Sequence, residues 1–224
     1  MRSSVWVAVL MLVCGAGAAN AAEDSGRFYV VGSLGLDRYD TDEIEQAMNE
    51  HAAIYNSILG VSAYANSDEL GFTFSAGGGY QFNSWVALEG FYRGYGKAEP
   101  ELYAANSMGA YISERVMLKS SGFGLGVVGT WPVTPAFSLL ARVDGVNLKS
   151  EAEFHRSSTL GASYNYSADD TSFTPGFGLG FQYDYGYDFL VRGEYQRIEA
   201  DMEFPDGATT SAIDSLSLSV LMAF

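Results

Sequence analysis

The feature that most constrains this chain is an alternation of apolar and polar residues with a period of two. It is clearest at the C-terminus, where serine at positions 215, 217 and 219 separates apolar residues. Successive side chains of a β-strand point to opposite faces, so this pattern predicts a strand with one apolar face. That face consists of Leu216, Leu218, Val220, Met222 and Phe224.

The same alternation recurs along the chain from residue 27 and predicts eight strands. The segments are about 10 residues long, which is the length of a tilted transmembrane strand. They cover residues 28–37, 70–82, 85–96, 122–131, 137–145, 172–184, 189–196 and 215–224.

The polar faces of these strands separate a membrane protein from a soluble one. Glycine occupies alternate positions on the polar face at 122–126 and 176–180, which a surface in contact with water has no reason to prefer. A soluble sandwich or lipocalin-like barrel turns its apolar face inward, whereas an outer-membrane barrel turns it toward lipid. An eight-stranded barrel is filled by its own side chains, so inward glycines leave room for long polar residues. We therefore predict an all-β fold, an eight-stranded antiparallel up-and-down transmembrane β-barrel.

With the apolar face outward, the alternation places charged side chains inside the barrel. In a low-dielectric interior such groups persist only when they are paired and hydrogen-bonded. The positive and negative charges balance, so we expect a nearly neutral lumen whose ion pairs fix the strand register. The predicted lumen network consists of Glu89, Arg93, Arg142, Asp144, Gln182, Arg192 and Glu194.

The connections between the predicted strands alternate between short and long, as in barrels with tight periplasmic turns and longer outer loops. The long ones, interpreted as outer loops, cover approximately 38–69, 97–115, 147–171 and 202–212, and both termini then lie on the periplasmic side. In the first loop, Asp40 and Glu43 form a helix start signal before apolar residues at helical spacing. We expect a short helix over the barrel mouth there; the alternative is a helix that binds a partner.

The N-terminus has the features of a cleaved signal peptide, which we assign to residues 1–21, with 22–224 as the mature barrel. Arg2 precedes an apolar run from Val5 to Val13, and residues 19–21 form a small-residue cleavage site. The run is shorter than the roughly 20 residues that a transmembrane helix needs. Cys14, the chain's one cysteine, falls within this segment, so we expect neither disulfides nor thiolate metal sites in the mature protein.

Several motifs resemble the eight-stranded membrane domain of the OmpA family, and they occur in the same order over essentially all of residues 27–224 outside the loops. They are Phe28-Tyr29 with Leu34-Gly35 and Tyr39; Gly78 to Val86 followed by Glu89, Tyr92 and Gly96-Lys97; Trp131 to Thr134 with Arg142; Gln182-Tyr183 followed by Arg192 and Glu194 to Gln196; and Leu216-Ser217-Leu218 through Phe224.

The resemblance implies roles for some of these residues. Glu89 and Arg192 match one interior ion pair of the family, whereas Val128 and Gln182 occupy the positions of a second pair. Losing both partners avoids the ~3–5 kcal/mol cost of leaving one charge unpaired. In the family, the barrel-assembly machinery reads the last strand and its terminal aromatic residue, and this signal corresponds here to Leu218, Val220, Met222 and Phe224. Full-length members carry a peptidoglycan-binding domain after the barrel; because this chain stops at Phe224, we expect no such domain.

From these observations we expect a monomeric structural and surface-interaction protein of the outer membrane. Its expected partners are outer-membrane lipid and lipopolysaccharide, the barrel-assembly machinery, and surface ligands that bind the outer loops. The formal net charge of −15 argues against nucleic acid as a partner. The alternative function is a low-conductance pore for small solutes that is gated by the Glu89–Arg192 pair.

A lipid-modifying enzyme is a third alternative. It needs a nucleophile beside a base, and His155 with Ser157 or Ser158 is the one candidate arrangement, without the glycine spacing of a nucleophile elbow. The other histidine, His51, also falls in a predicted outer loop. We therefore expect no enzymatic activity and no catalytic, cofactor-binding or metal site.

Overall fold

The computed structural model describes residues 26–224 except 41, 60–61, 67–69, 107–108, 160, 162 and 205–206. The predicted signal peptide, residues 1–21, lies outside the described residues. Ten β-strands and one α-helix make up the described chain. They are β1 (Arg27–Tyr39), α1 (Asp42–Leu59), β2 (Ser62–Asn66), β3 (Leu70–Asn83), β4 (Val86–Ala98), β5 (Glu101–Ala105), β6 (Tyr111–Pro132), β7 (Phe137–Ser158), β8 (Tyr164–Asp184), β9 (Phe189–Phe204) and β10 (Gly207–Ala223).

Eight of the strands close into a ring. β1 pairs antiparallel with β3 on one side and with β10 on the other, and the pairing of β6 with β7 closes the circle. Around the barrel the order is β1, β3, β4, β6, β7, β8, β9 and β10, while the short β2 and β5 extend from the outer part of β6. The predicted eight-stranded antiparallel up-and-down barrel is confirmed.

Exposure alternates along the long strands, with apolar side chains outside. On β6, Phe123 and Leu125 are 70% and 66% exposed. Gly124 and Gly126, which alternate with them, are buried. A soluble protein would bury the phenylalanine and leucine, so this arrangement suits a wall in contact with lipid. The other exposed apolar residues of the wall include Phe28, Val30, Leu34, Leu36, Phe72, Phe74, Leu139, Phe173, Phe177, Leu179, Phe181, Leu216, Leu218 and Val220.

Inward glycines leave space for larger side chains on neighbouring strands. A Cβ atom at Gly124 would lie 2.3 Å from Phe91 Cζ, and one at Gly126 would come within 1.8 Å of Asp144 Oδ1. Real Cβ atoms do not approach so closely, so both positions admit glycine alone while these neighbours stay in place. The glycine stripe of β6 therefore makes room for an aromatic ring and a carboxylate within the lumen.

Several strands run far beyond the lipid-facing band. β6 and β7 have 22 residues each and β8 has 21, about twice the 9–11 residues that cross a bilayer. Much of the segments predicted as outer loops, 97–115 and 147–171, is therefore strand. The alternation is inverted there: apolar residues such as Leu118 and Leu148 face inward, and charged residues such as Lys119 and Lys149 face outward. The hydrogen-bonded ladder continues through both strands.

The other two predicted loops also contain regular structure. Residues 38–69 include the expected helix, α1, and strand β2. Residues 202–204 of β9 pair with residues 207–209 of β10. Among the described residues, no helix is long and apolar enough to cross a membrane.

Two apolar clusters fill the two ends of the lumen. The inner cluster, at the end with the tight turns, consists of Tyr29, Ala87, Val128, Leu140, Leu190, Leu221 and Ala223. The outer cluster, at the other end, consists of Tyr39, Met48, Ala52, Phe91, Tyr95, Ala98, Leu102, Ala104, Ile112, Val116, Leu118, Val146, Leu148, Ile198 and Ile213. Met48 and Ala52 belong to α1, so the helix packs into the barrel mouth.

Candidate functional site

The centre of the lumen is organised around the carboxylate of Glu89. Its side chain is 1% exposed, and Arg142 Nη1 and Arg192 Nη1 each lie 2.6 Å from one of its oxygens. The hydroxyl of Tyr29 donates a third hydrogen bond at 2.5 Å. Charge-assisted hydrogen bonds of this kind are short and strong, so Glu89 ties together β1, β4, β7 and β9.

The two arginines have further partners. Arg142 Nε donates to Asp144 Oδ1 at 2.7 Å, and Gln196 donates to the other oxygen of Asp144. Arg192 donates to Gln182 Oε1 through Nε at 3.2 Å and Nη2 at 3.1 Å. The uncharged Gln182 therefore orients the guanidinium of Arg192 without adding a charge.

Glu194 and Arg93 lie in the same interior with fewer partners. Glu194 Oε2 lies 3.8 Å from Arg142 Nη1. It accepts no hydrogen bond from the described residues, and Arg93 Nη1 donates none to them. The guanidinium of Arg93 instead lies 5.6 Å from the ring centroid of Phe91, which Arg142 approaches to 4.7 Å. Cation–π attraction to one ring thus stabilises two buried arginines.

Asp37 occupies the lumen where β4 is irregular. The register of β4 against β6 shifts between Gly94 and Lys97, and such a bulge takes backbone groups out of the ladder. Asp37 Oδ2 accepts the Gly96 N–H at 2.8 Å, and the Tyr39 hydroxyl donates to the Gly96 carbonyl at 2.8 Å. Two side chains of β1 thereby satisfy the polar groups of the irregular peptide.

The structure brings the predicted lumen residues together. The six charged ones are all buried, and Gln182 is half-buried beside Arg192. Sequence reasoning missed Tyr29, Asp37, Glu114 and Gln196. Asp37 and Glu114 raise the described buried charges to five carboxylates against three arginines, so the expectation of balanced charge is wrong.

Glu114 fastens α1 to the barrel mouth. The Tyr55 hydroxyl donates to Glu114 Oε1 at 2.9 Å, His51 Nδ1 lies 3.7 Å from Oε2, and Arg156 Nε lies 3.6 Å from Oε1. Burial, and next the hydrogen bond to Glu114, raises the pKa of Tyr55. Glu114 lies in the segment predicted as loop 97–115, so its inward orientation was not predicted. The signal that could have found it is the alternation of Ile112 and Val116, which share its face of β6.

His155, the histidine considered for catalysis, lies on the exposed outer part of β7. Its Nδ1 lies 3.1 Å from Asn165 Oδ1 and its Nε2 lies 3.4 Å from Glu153 Oε2. The Ser157 hydroxyl lies 3.3 Å from that of Tyr111. Both ring nitrogens of His155 therefore have partners other than the serine.

An exposed ion pair lies nearby on the same face of β7. Lys149 Nζ lies 2.8 Å from Glu151 Oε1. This hydrogen bond raises the pKa of Lys149 and lowers the pKa of Glu151. The described residues contain no cluster of three or more side chains suited to a metal ion.

The C-terminal residues singled out by the sequence lie on the outer wall. Leu218, Val220, Met222 and Phe224 are all exposed. The first three lie on β10, which pairs with β1, and Phe224 directly follows this strand. The Phe224 N–H donates to the Phe28 carbonyl at 2.9 Å.

The family model for the outer membrane protein beta-barrel domain matches residues 7–224. The chain belongs to this family. Membership of this family implies that the protein is located in the outer membrane. Barrels of this kind keep their tight turns on the periplasmic side. The inner cluster then faces the periplasm, and α1 faces the exterior.

Solved structures of outer-membrane barrels are similar to this one. Ail, the attachment invasion locus protein of Yersinia pestis, has 15% identity and a TM-score of 0.48, over 90% of this chain and 100% of that chain. Neisserial surface protein A has 14% identity and a TM-score of 0.47 over the same shares. The N-terminal barrel of Pseudomonas aeruginosa OprF has 11% identity and a TM-score of 0.41, over 89% of this chain and 100% of that chain. No curated protein sequence matches the chain.

Proposed function

We propose that this outer-membrane barrel is an OmpA-like structural and surface-interaction protein, monomeric and without enzymatic activity. Its lumen supports a structural role, since it is occupied in three layers. The inner apolar cluster, the network around Glu89 and the outer apolar cluster follow one another along the axis. Each layer joins strands on opposite sides of the barrel and thereby holds its cross-section.

The OmpA-like assignment is supported by the contact between Glu89 and Arg192. These residues match an interior pair of that family in sequence position, and their atoms lie 2.6 Å apart. Val128, at one position of the family's second pair, is fully buried in the inner cluster. An apolar residue suits that environment because a lone charge there would be costly.

A low-conductance pore is the second candidate, and the position of Arg142 favours it over other transport functions. Arg142 Nη1 lies 2.6 Å from Glu89 and 3.8 Å from Glu194, so an exchange of partners would need only a small movement. Opening a path would also require both apolar clusters to rearrange, which makes the closed barrel the better-supported state.

Planar-bilayer recording of the purified protein distinguishes the two functions. We expect no discrete channel events from the wild type or from Glu89→Ala, with Glu101→Ala, which alters an exposed pair, as the matched control. Reproducible events from the wild type would refute the closed structural barrel. Events from Glu89→Ala alone would show that the network is a gate.

The absence of enzymatic activity is a separate part of the proposal. Support for it comes from the two ring nitrogens of His155, whose contacts are with Asn165 and Glu153. We expect His155→Ala to leave the acylation pattern of lipid A unchanged in mass spectra of cell extracts. A loss of one acylated species in this variant would support the enzyme instead.

The proposed partners act at different surfaces of the barrel. Lipopolysaccharide would contact the outer wall, and surface ligands would bind the extended parts of β6, β7 and β8 and the β9–β10 hairpin. The assembly machinery would read the exposed residues of β10. We expect Phe224→Ala to lower the fraction of folded, heat-modifiable protein in membranes, whereas Leu216→Ala, on the same face of β10, should have a smaller effect. Equal effects of the two variants would argue against a terminal signal.

A further inference from the structure

The chain carries few cations, and many of them lie in one zone of the barrel surface. It has 12 lysines and arginines against 27 acidic residues, and three arginines are buried in the lumen. Others face outward just beyond the apolar band on the outer side. These are Arg38, Lys97, Arg115, Lys119, Lys149 and Arg197.

Three members of this zone are bound to carboxylates. Lys149 pairs with Glu151 at 2.8 Å, Arg197 with Asp214 at 3.1 Å and Arg115 with Glu101 at 3.4 Å. Their charges are largely compensated within the protein.

Lys97 and Lys119 differ from these pairs because they lie directly opposite each other. They are register partners on β4 and β6, both are exposed, and neither makes an ion pair or a side-chain hydrogen bond with the described residues. Glu151, the register partner of Lys119 on β7, is hydrogen-bonded to Lys149, and its attraction to Lys119 is weaker. Like charges opposite each other on adjacent strands destabilise a sheet, so the pair is stabilised when an anion lies between the two ammonium groups.

The wall below the two lysines has a shape that suits a lipid. Toward the membrane, the register pair Gly94–Ser121 is followed by the pair Tyr92–Phe123, so two small residues separate the lysines from a pair of rings. The ring centroids of Tyr92 and Phe123 lie 4.9 Å apart, and Phe74 adds a third ring 6.2 Å from Tyr92. The ring of Phe74 covers Gly94, where an added Cβ would lie 2.6 Å from it. The patch therefore presents positive charge directly above an exposed aromatic surface.

We propose that Lys97 and Lys119 bind a phosphate group of the lipopolysaccharide lipid anchor, whose acyl chains lie against Phe74, Tyr92 and Phe123. The bulge at residues 94–97 of β4 contributes directly, because it turns Lys97 outward opposite Lys119. The site rests on the proposed function only in assigning the long-strand end of the barrel to the lipopolysaccharide leaflet.

Binding of fluorescent bisphosphorylated lipid A to the purified full chain in zwitterionic detergent micelles tests the site. A surface lysine contributes about 1 kcal/mol to the attraction of an anionic lipid, so the variant Lys97→Gln/Lys119→Gln should bind roughly 10- to 30-fold more weakly. The matched control is the double variant Lys149→Gln/Glu151→Gln, which removes a compensated pair of the same zone and leaves no unpaired carboxylate opposite Lys119. We expect this control to bind within about twofold of the wild type.

Three outcomes would overturn the proposal. They are unchanged binding by Lys97→Gln/Lys119→Gln, an equal loss in Lys149→Gln/Glu151→Gln, and displacement of lipid A by millimolar inorganic phosphate, which would indicate a site for free anions. Heat-modifiable migration of each variant verifies that the barrel is folded. The planar-bilayer assay remains independent, since neither lysine lies in the lumen, so failure of lipid binding and failure of the structural function are distinguishable.

Discussion

Replacing Glu89 by glutamine should destabilise the barrel more than any exposed charge substitution. The variant keeps the volume of the side chain but removes the anion that binds Arg142 and Arg192 at 2.6 Å each. A hydrogen bond to a charged group contributes about 1.5–3 kcal/mol, so two such bonds correspond to roughly 3–6 kcal/mol. Arg142 retains Asp144 at 2.7 Å, whereas the described side-chain hydrogen bonds that Arg192 retains are with the neutral Gln182. We therefore expect a loss of about 3–5 kcal/mol, the usual cost of breaking a buried ion pair.

Reversible urea unfolding in lipid vesicles measures this loss through the fluorescence of Trp85 and Trp131, whose rings lie 5.7 Å apart at the periplasmic rim. The matched control is Glu101→Gln, because its ion pair with Arg115 is exposed and should contribute less than about 1 kcal/mol. Combining Glu89→Gln with Arg192→Gln should cost less than the sum of the two single variants, because the double variant leaves no unpaired charge at position 192. A single Glu89→Gln variant as stable as Glu101→Gln would refute the view that this carboxylate organises the lumen.

Three further predictions concern the wall, the lumen glycines and the helix. Gly126→Ala should cost about 1–3 kcal/mol by overpacking, whereas Gly32→Ala, whose Cβ would meet nothing within 4 Å, should be nearly neutral in the same unfolding assay. Leu125→Arg should cost about 2–4 kcal/mol in vesicles, against about 0–1 kcal/mol for Met117→Arg beyond the apolar band; equal costs would contradict the assigned bilayer position. Glu114→Gln should accelerate amide hydrogen exchange in α1 and leave the inner half of β9 unchanged, and unaltered exchange in α1 would show that this carboxylate does not hold the helix.

The lipid-facing part of the fold was predictable because the bilayer imposes a rule on single residues. Every outward position within lipid must be apolar, so Leu216, Leu218 and Val220 identify a strand and its orientation without any knowledge of its neighbours. Helical spacing, which includes Met48 and Ala52, predicted α1, but not its position, because the surface that these residues contact comes from distant strands.

The remainder depended on interactions that no local pattern contains. Beyond the bilayer the outward face of β6 and β7 is polar and the inward face is apolar, as at Val116 and Val146. This is the reverse of the pattern within lipid, so a search for outward apolar residues assigned these halves to loops although their ladder is continuous. In the lumen, the alternation identified Glu89 and Arg142 as inward, but their pairing follows from the order and shear of the closed ring. Asp37 was missed because its carboxylate accepts a hydrogen bond from the Gly96 N–H. A bulge on another strand takes that N–H group out of the ladder, and no local pattern around Asp37 indicates this.

The outward position of the lysines has a practical consequence for work on intact cells. Lys97, Lys119 and Lys149 are all the lysines of the chain, and each emerges on the exterior side of the bilayer. A succinimidyl dye that does not permeate the envelope can therefore reach every lysine amine of the protein. Its signal reports barrels that have been inserted with the correct orientation, in living bacteria and without an added tag.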